Sequence, residues 1–262
     1  MELRGWDGVD VILFSGDAYV DHPSFGVAVI GRTLEAAGYR VAIVPQPDWH
    51  GDLRDFRRLG RPRLWFGIAP GCMDSMVNKY TAARRLRSED AYSPDGRHDM
   101  RPEYPTIVYS QILRRLYPDV PIVLGGIEAS MRRLTHYDYW QDRFLPSILI
   151  PSGADMIVYG MGEKPTTEMT HRLTQMIEDY DPSLSYDEEG EACIGREAFR
   201  KALLGENQLP QTVALINSEK REVRSEKRNV SDSLSNSQGE EVSSSHFSPL
   251  TSHYSPPFQG GG

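Results

Sequence analysis

Residues 122–133 read IVLGGIEASMRR. An apolar run of strand length stops at a Gly-Gly pair and passes into a segment able to begin a helix. This is the order expected where a buried strand hands over to its covering helix. Glycine at such a turn lets another group approach the backbone closely, so the stretch raises a question of fold and a question of ligand together.

Working outward, four more apolar runs of strand length occur: VDVILF (9–14), VAIV (41–44), RLWFGIA (63–69) and DMIVY (155–159), with VPIVL (120–124) leading into the glycine pair. Continuous apolar runs fit strands covered on both faces. Between them, Val27, Ile30, Leu34 and Ala37 recur at helical steps, with Ser24 placed to cap the start and Gly38 to end the turn. Ile107, Ile112 and Leu116 suit a helix before the fourth strand, and EKPTTEMTHRLTQMIEDY (163–180) suits one after the fifth. Alternating strands and helices imply an α/β fold, an open parallel sheet of Rossmann or flavodoxin type with helices on both faces.

Two stretches break the alternation. Residues 87–105, RSEDAYSPDGRHDMRPEYP, form a polar insert rich in turn formers and read as a solvated loop. From Asn217 the composition turns to serine and charge with scattered apolar residues, which cannot bury enough surface to offset ordering entropy. The expectation is one α/β domain over 1–216 and a disordered low-complexity tail over 217–262.

The chain has 262 residues, 39% hydrophobic, with a formal net charge of −8. That supports a sizeable core, and the absence of a face-long block of Lys and Arg makes nucleic acid an unexpected partner on electrostatics alone. No run approaches the roughly 18 apolar residues of a membrane span, and MELRGWDGVD lacks the apolar middle of a signal peptide. A cytoplasmic protein without membrane contact is expected. The two cysteines, Cys72 and Cys193, are too few for a disulfide framework.

In an open parallel sheet, ligands sit beyond the carboxyl ends of the strands. SGDAYVDHPSFG follows the first strand, PGCMDSM the third, GGIEASMRR the fourth and YGMGEKPT the fifth, each with glycine, a capping side chain and free N–H groups. These loops nominate Asp21, Ser24, Gly125, Gly126, Gly160 and Gly162 as binding residues of one anion-friendly crevice; glycines serving tight turns alone are the plainer alternative. Asp48, His50 and Asp52 offer metal-ligand chemistry without a second cluster to complete it. Asp17, Asp21 and His22 suit acid–base work or helix capping. MRRLTHYDYWQDRF (131–144) interleaves arginine with aromatics, a composition that stacks on bases or forms a domain interface.

Taken in order, GDAYVDHPSFG, IAPGCMDSMVNKYTAA, VLGGIEASMRR with HYDYW, and VYGMGE resemble the N-terminal domain of the YgiQ-type radical SAM proteins, from about residue 5 to about residue 215. The resemblance implies a cobalamin-binding-type α/β module standing before a C-terminal radical SAM barrel in the same chain. In that barrel a CxxxCxxC motif holds a [4Fe-4S] cluster that binds S-adenosylmethionine. This chain has no such motif, so no cofactor is expected in it, and it looks truncated before the barrel. Corrinoid modules with histidine on cobalt show Asp-x-His-x-x-Gly, whereas Asp21 and His22 are adjacent and Gly26 lies four beyond, so histidine ligation is not expected here. The leading expectation is an accessory domain inactive by itself. The others are a standalone nucleotide- or corrinoid-binding module, and a metal-dependent hydrolase built on Asp17, His22, Asp48 and His50.

Overall fold

The computed structural model describes residues 2–18 and 25–215. The strands and helices, in chain order, are β1 Val11–Ser15, α1 Gly26–Ala36, β2 Val41–Pro45, α2 Arg54–Arg57, β3 Trp65–Ala69, α3 Ser75–Lys79, α4 Pro105–Leu116, β4 Ile122–Leu124 and α5 Gly126–Met131. Then follow β5 His136–Asp138, β6 Arg143–Leu145, α6 Leu149–Ser152, β7 Met156–Val158, α7 Glu163–Glu178, β8 Ser185–Tyr186, β9 Ala192–Cys193, α8 Arg196–Leu203 and β10 Thr212–Val213. The central sheet has the order β10-β7-β4-β3-β1-β2.

All neighbours in that sheet are parallel except β10, which pairs antiparallel with β7. The chain starts in the middle at β1, steps out to β2, then returns past β1 to β3 and continues to β4 and β7. The order therefore reverses between β1 and β3, the flavodoxin-like arrangement. Strand alternation sends Ile12, Phe14, Phe66, Ile122 and Leu124 to one face, where they pack with Phe56 of α2 and Tyr109, Ile112 and Leu113 of α4. Val11, Leu13, Trp65, Val123 and Val158 go to the other, against Val27 and Leu34 of α1, Leu173 of α7 and Phe199 of α8. Both faces are covered, so both residue parities are apolar, and each fully buried large side chain contributes roughly 1.5–3 kcal/mol.

The five expected strands and the helices at 26–36, 105–116 and 163–178 are present. At the end of α1, Gly38 donates to the Glu35 carbonyl and Tyr39 to the Leu34 carbonyl, the paired closure that a C-terminal glycine allows. The residue at the α1 cap position is Phe25; Ser24, expected there, lies outside the described residues, as does the expected tail at 217–262. Two hairpins, β5–β6 and β8–β9, and the edge strand β10 are additions. Each strand is two or three residues long, too short to show a period.

The insert 87–105 differs from the solvated loop its composition suggests. Asp90, Ser93, Arg101 and Tyr104 are buried, and Arg101 is only 2% exposed. A charged side chain buried that deeply needs a partner of opposite sign, and a partner remote in sequence is invisible in a local composition count.

Candidate functional site

At the carboxyl ends of β1, β3, β4 and β7 lies a cavity of about 380 Å³, spanning the point where strand order reverses. Its walls are the first turns of α1 and α7, and its floor is the α1/α7 face of the sheet. Gly67 makes that floor possible. A Cβ there would stand 2.6 Å from a Leu13 methyl and 2.8 Å from the Trp65 ring, so β3 passes with no side chain at that point. Trp65 is fixed beside it by its indole N–H, which donates to Thr170 Oγ1 at 3.2 Å.

Gly125, Gly126, Gly160 and Gly162, four of the six nominated residues, all line this cavity. Asp21 and Ser24 lie outside the described residues. The four glycines have different local reasons to be glycine. Gly126 has φ +77, and a Cβ on it would meet Pro70 Cδ at 2.9 Å, so the fold itself demands glycine. Gly125 is extended, with φ −143, and the nearest atom to an added Cβ is the Val158 carbonyl oxygen at 3.9 Å. Its missing side chain simply leaves the cavity open.

Among the described residues the lining is uncharged but for Glu163: none is Lys, Arg or His, and Thr166 is the other polar side chain, its hydroxyl donating to the Gly162 carbonyl. Arg133, on the same edge, is engaged elsewhere: it donates to the Ser130 carbonyl and lies over the Tyr159 ring at 4.8 Å. The described lining thus offers an anion backbone N–H groups and a helix terminus, without a cation. Glycines and caps in a sequence do not show which side chains turn inward, and the loop with Asp21, His22 and Ser24 lies outside the described residues.

Beside the cavity the charges are paired with one another. Asp17, fully buried after β1, accepts from the Cys72 N–H at 2.7 Å and from Arg101 Nη1 at 2.5 Å. Arg101 also grips both oxygens of Asp90 and donates to the Pro70 carbonyl. Burial pushes the Asp17 carboxyl up from its ordinary range against the pull of Arg101. Burial acts the same way on Asp90, yet Arg101 with the Tyr92 N–H holds that carboxyl below the usual range. Burial also raises the Cys72 thiol, so it is not poised as a thiolate nucleophile.

Glu128, in the quoted GGIEAS, is fully buried and joins three helices. One oxygen accepts from the Ser75 hydroxyl and, at 3.4 Å, its N–H at the start of α3; the other accepts from the Thr106 hydroxyl and, at 3.3 Å, its N–H at the start of α4. Burial raises the Glu128 carboxyl and nearby Arg132 opposes the rise. Arg132 is itself ion-paired with Asp74, the side-chain cap of α3. Sequence reasoning missed Arg101 and Glu128. A lone Glu in a first helical turn looks like an ordinary dipole-favouring residue, and only its distant partners mark it as a clamp.

The metal reading finds no support in this arrangement: Asp17 is ion-paired, Asp48 and His50 form an exposed local turn, and His22 lies outside the described residues. Among the described residues no three of His, Cys, Asp and Glu gather to hold a metal ion. The two thiols do not fit a [4Fe-4S] cluster either. Cys72 follows the carboxyl end of β3, while Cys193 sits beside its amino end, where the Ile194 N–H donates to the Arg63 carbonyl. They stand at opposite edges of the sheet, and a cluster needs three or four converging thiolates.

Comparison with known families matches residues 1–246 to the radical SAM N-terminal model. The chain belongs to the radical SAM N-terminal family. It is 71% identical over 188 residues to a UPF0313 protein of Bacteroides thetaiotaomicron, covering 72% of this chain and 30% of that relative. A UPF0313 protein of Porphyromonas gingivalis is 73% identical over 173 residues, 66% of this chain and 27% of the relative. The UPF0313 protein YgiQ of Escherichia coli is 56% identical over 173 residues, 66% of this chain and 23% of the relative. The matched segments thus span less than a third of these curated relatives. No solved structure matches the chain. No helix among the described residues is long and apolar enough to cross a membrane.

Proposed function

We propose that this radical SAM N-terminal domain is an accessory, non-catalytic module of a cytoplasmic iron–sulfur protein. Its partner is a radical SAM barrel in the longer chain of the family, which holds the [4Fe-4S] cluster and S-adenosylmethionine. The observation that carries the reading is the placement of Cys72 and Cys193 at opposite edges of the sheet, which denies this chain a three-thiolate site of its own. The test is 5′-deoxyadenosine release from S-adenosylmethionine by the purified chain after anaerobic treatment with iron, sulfide and reductant. No turnover is expected. Turnover abolished by replacing Cys72 or Cys193 overturns the reading.

The cavity favours a second reading alongside it, a binding module for a nucleotide-like or corrinoid ligand. Its apolar walls suit an uncharged ring or aliphatic group of such a ligand, with phosphate left outside. Gly125→Leu places a side chain into that open space. Adenosine, S-adenosylmethionine and cobalamins, titrated against both proteins, should lose any measurable affinity with the variant; binding that survives it moves the ligand elsewhere.

A further inference from the structure

The acidic chain carries one local face of opposite character. In the β5–β6 hairpin Tyr137 stands directly across from Phe144, their rings 5.7 Å apart and edge-on, and Tyr139 follows in the turn just after β5. Phe144 is 75% exposed, Tyr137 51% and Tyr139 48%. The loop 81–87 folds against this hairpin. Tyr139 OH donates to the Ala82 carbonyl at 2.8 Å, and the Arg84 guanidinium lies over the Tyr139 ring at 4.6 Å. Arg85 belongs to the same loop and Arg143 precedes Phe144. These three arginines are exposed, and none forms an ion pair among the described residues. The adjacent Asp142 carboxylate accepts from the Tyr137 hydroxyl and keeps its charge, and Arg143 donates twice to Gln141 Oε1, at 3.1 and 2.6 Å.

We propose that this aromatic and arginine face binds single-stranded nucleic acid. The exposed rings of Phe144 and Tyr137, and the face of Tyr139 that Arg84 leaves open, give surfaces on which bases stack irrespective of sequence, and guanidiniums without a carboxylate partner beside them attract the phosphate backbone. Arginine beside aromatic rings also occurs at protein interfaces; what favours nucleic acid is three exposed guanidiniums with no carboxylate partner among the described residues, which a phosphate backbone complements. The net charge of −8 is a property of the whole chain; folding brings residues 84–85 to residues 137–144 and makes a cationic island that linear charge counting dilutes. The proposal is independent of the cavity and of its ligand.

Fluorescence anisotropy of labelled twelve-nucleotide single strands, one RNA and one DNA of the same sequence, with their duplex as a third arm, tests it on the whole chain. Binding is expected to the single strands and to exceed that to the duplex; the RNA and DNA arms decide which strand is preferred. Phe144→Ala and Tyr139→Ala should each weaken binding roughly five- to a hundred-fold, with an unchanged thermal midpoint for Phe144→Ala, whose ring is 75% exposed. Arg84→Gln should make the slope of log K against log salt shallower by about 0.7, the value for one phosphate contact on a single strand. Failure to bind, equal binding of the duplex, or binding indifferent to the aromatic variants overturns the proposal. So does a concentration-dependent rise in mass by light scattering that Phe144→Arg abolishes, since the face would then serve a protein contact.

Discussion

The two adjacent glycines of the quoted stretch should respond oppositely to one methyl group. At Gly126 an alanine enters the left-handed region at φ +77 and places Cβ 2.9 Å from Pro70 Cδ. The left-handed conformation costs about 1–2 kcal/mol for an L-residue, and pressing on a proline ring costs about 1–3 kcal/mol more where the core cannot yield. Gly126→Ala should therefore lose about 2–5 kcal/mol, a fall of roughly 4–20 °C in midpoint for a body of this size. At Gly125 the backbone is extended and the nearest atom to a new Cβ is 3.9 Å away. Gly125→Ala should leave stability unchanged or raise it by up to about 1 kcal/mol, because the unfolded chain loses freedom. Urea unfolding followed by circular dichroism, with equal m-values checked for each variant, reads both. A Gly126→Ala protein as stable as wild type, or a Gly125→Ala protein down by 2 kcal/mol or more, would refute the assignment of one glycine to the fold and the other to the opening.

Glu128→Ala strips the acceptor from two hydroxyls and two N–H groups at the starts of α3 and α4; at about 1–3 kcal/mol per stranded buried donor, partly relieved by water, a loss of about 3–6 kcal/mol is expected in the same urea assay. Arg101→Met leaves Asp17 and Asp90 buried without a cation and should cost about 3–5 kcal/mol at pH 7. Without Arg101, burial acts on Asp17 against the Cys72 hydrogen bond but no cation, and lifts its folded pKa further above the unfolded value. A raised carboxyl stabilises fully below the unfolded pKa and loses that contribution as pH rises through the folded one, so the deficit of Arg101→Met should shrink as pH is lowered from 7 towards 5; a deficit that widens contradicts the ion-pair account. The hydrogen bond from Lys201 holds Asp181 down at about 2, and Lys201→Met should return it towards 3.8 in a carboxyl NMR titration. A depressed carboxylate stabilises in full above its unfolded pKa and loses that effect as pH falls from there to about 2, so the variant should differ from wild type fully above that window and progressively less within it.

IVLGGIEASMRR and the four other apolar runs were enough to specify strand after helix after strand, because a strand buried on both faces must be apolar at every position, and that shows in one dimension. The same reasoning placed four glycines at one edge, and the single parallel direction of the strands carries their loops to a common cavity. The strand order, with its reversal between β1 and β3, was not legible, since parallel pairing leaves no local pattern for which strand lies next to which. Nor was the polarity of the cavity. Glycines announce room for a ligand, but the largely apolar character of the described lining follows from side chains such as Leu13, Trp65 and Val158. Arg101 and Glu128 mark the boundary most clearly. Each looked like an ordinary charged residue of a loop or helix start, and each became a buried anchor only through partners 84 and 53 positions away. Hydrophobic periodicity is a local property and is written in the sequence, whereas the compensation of a buried charge is a contact between distant segments, and only the tertiary structure decides it.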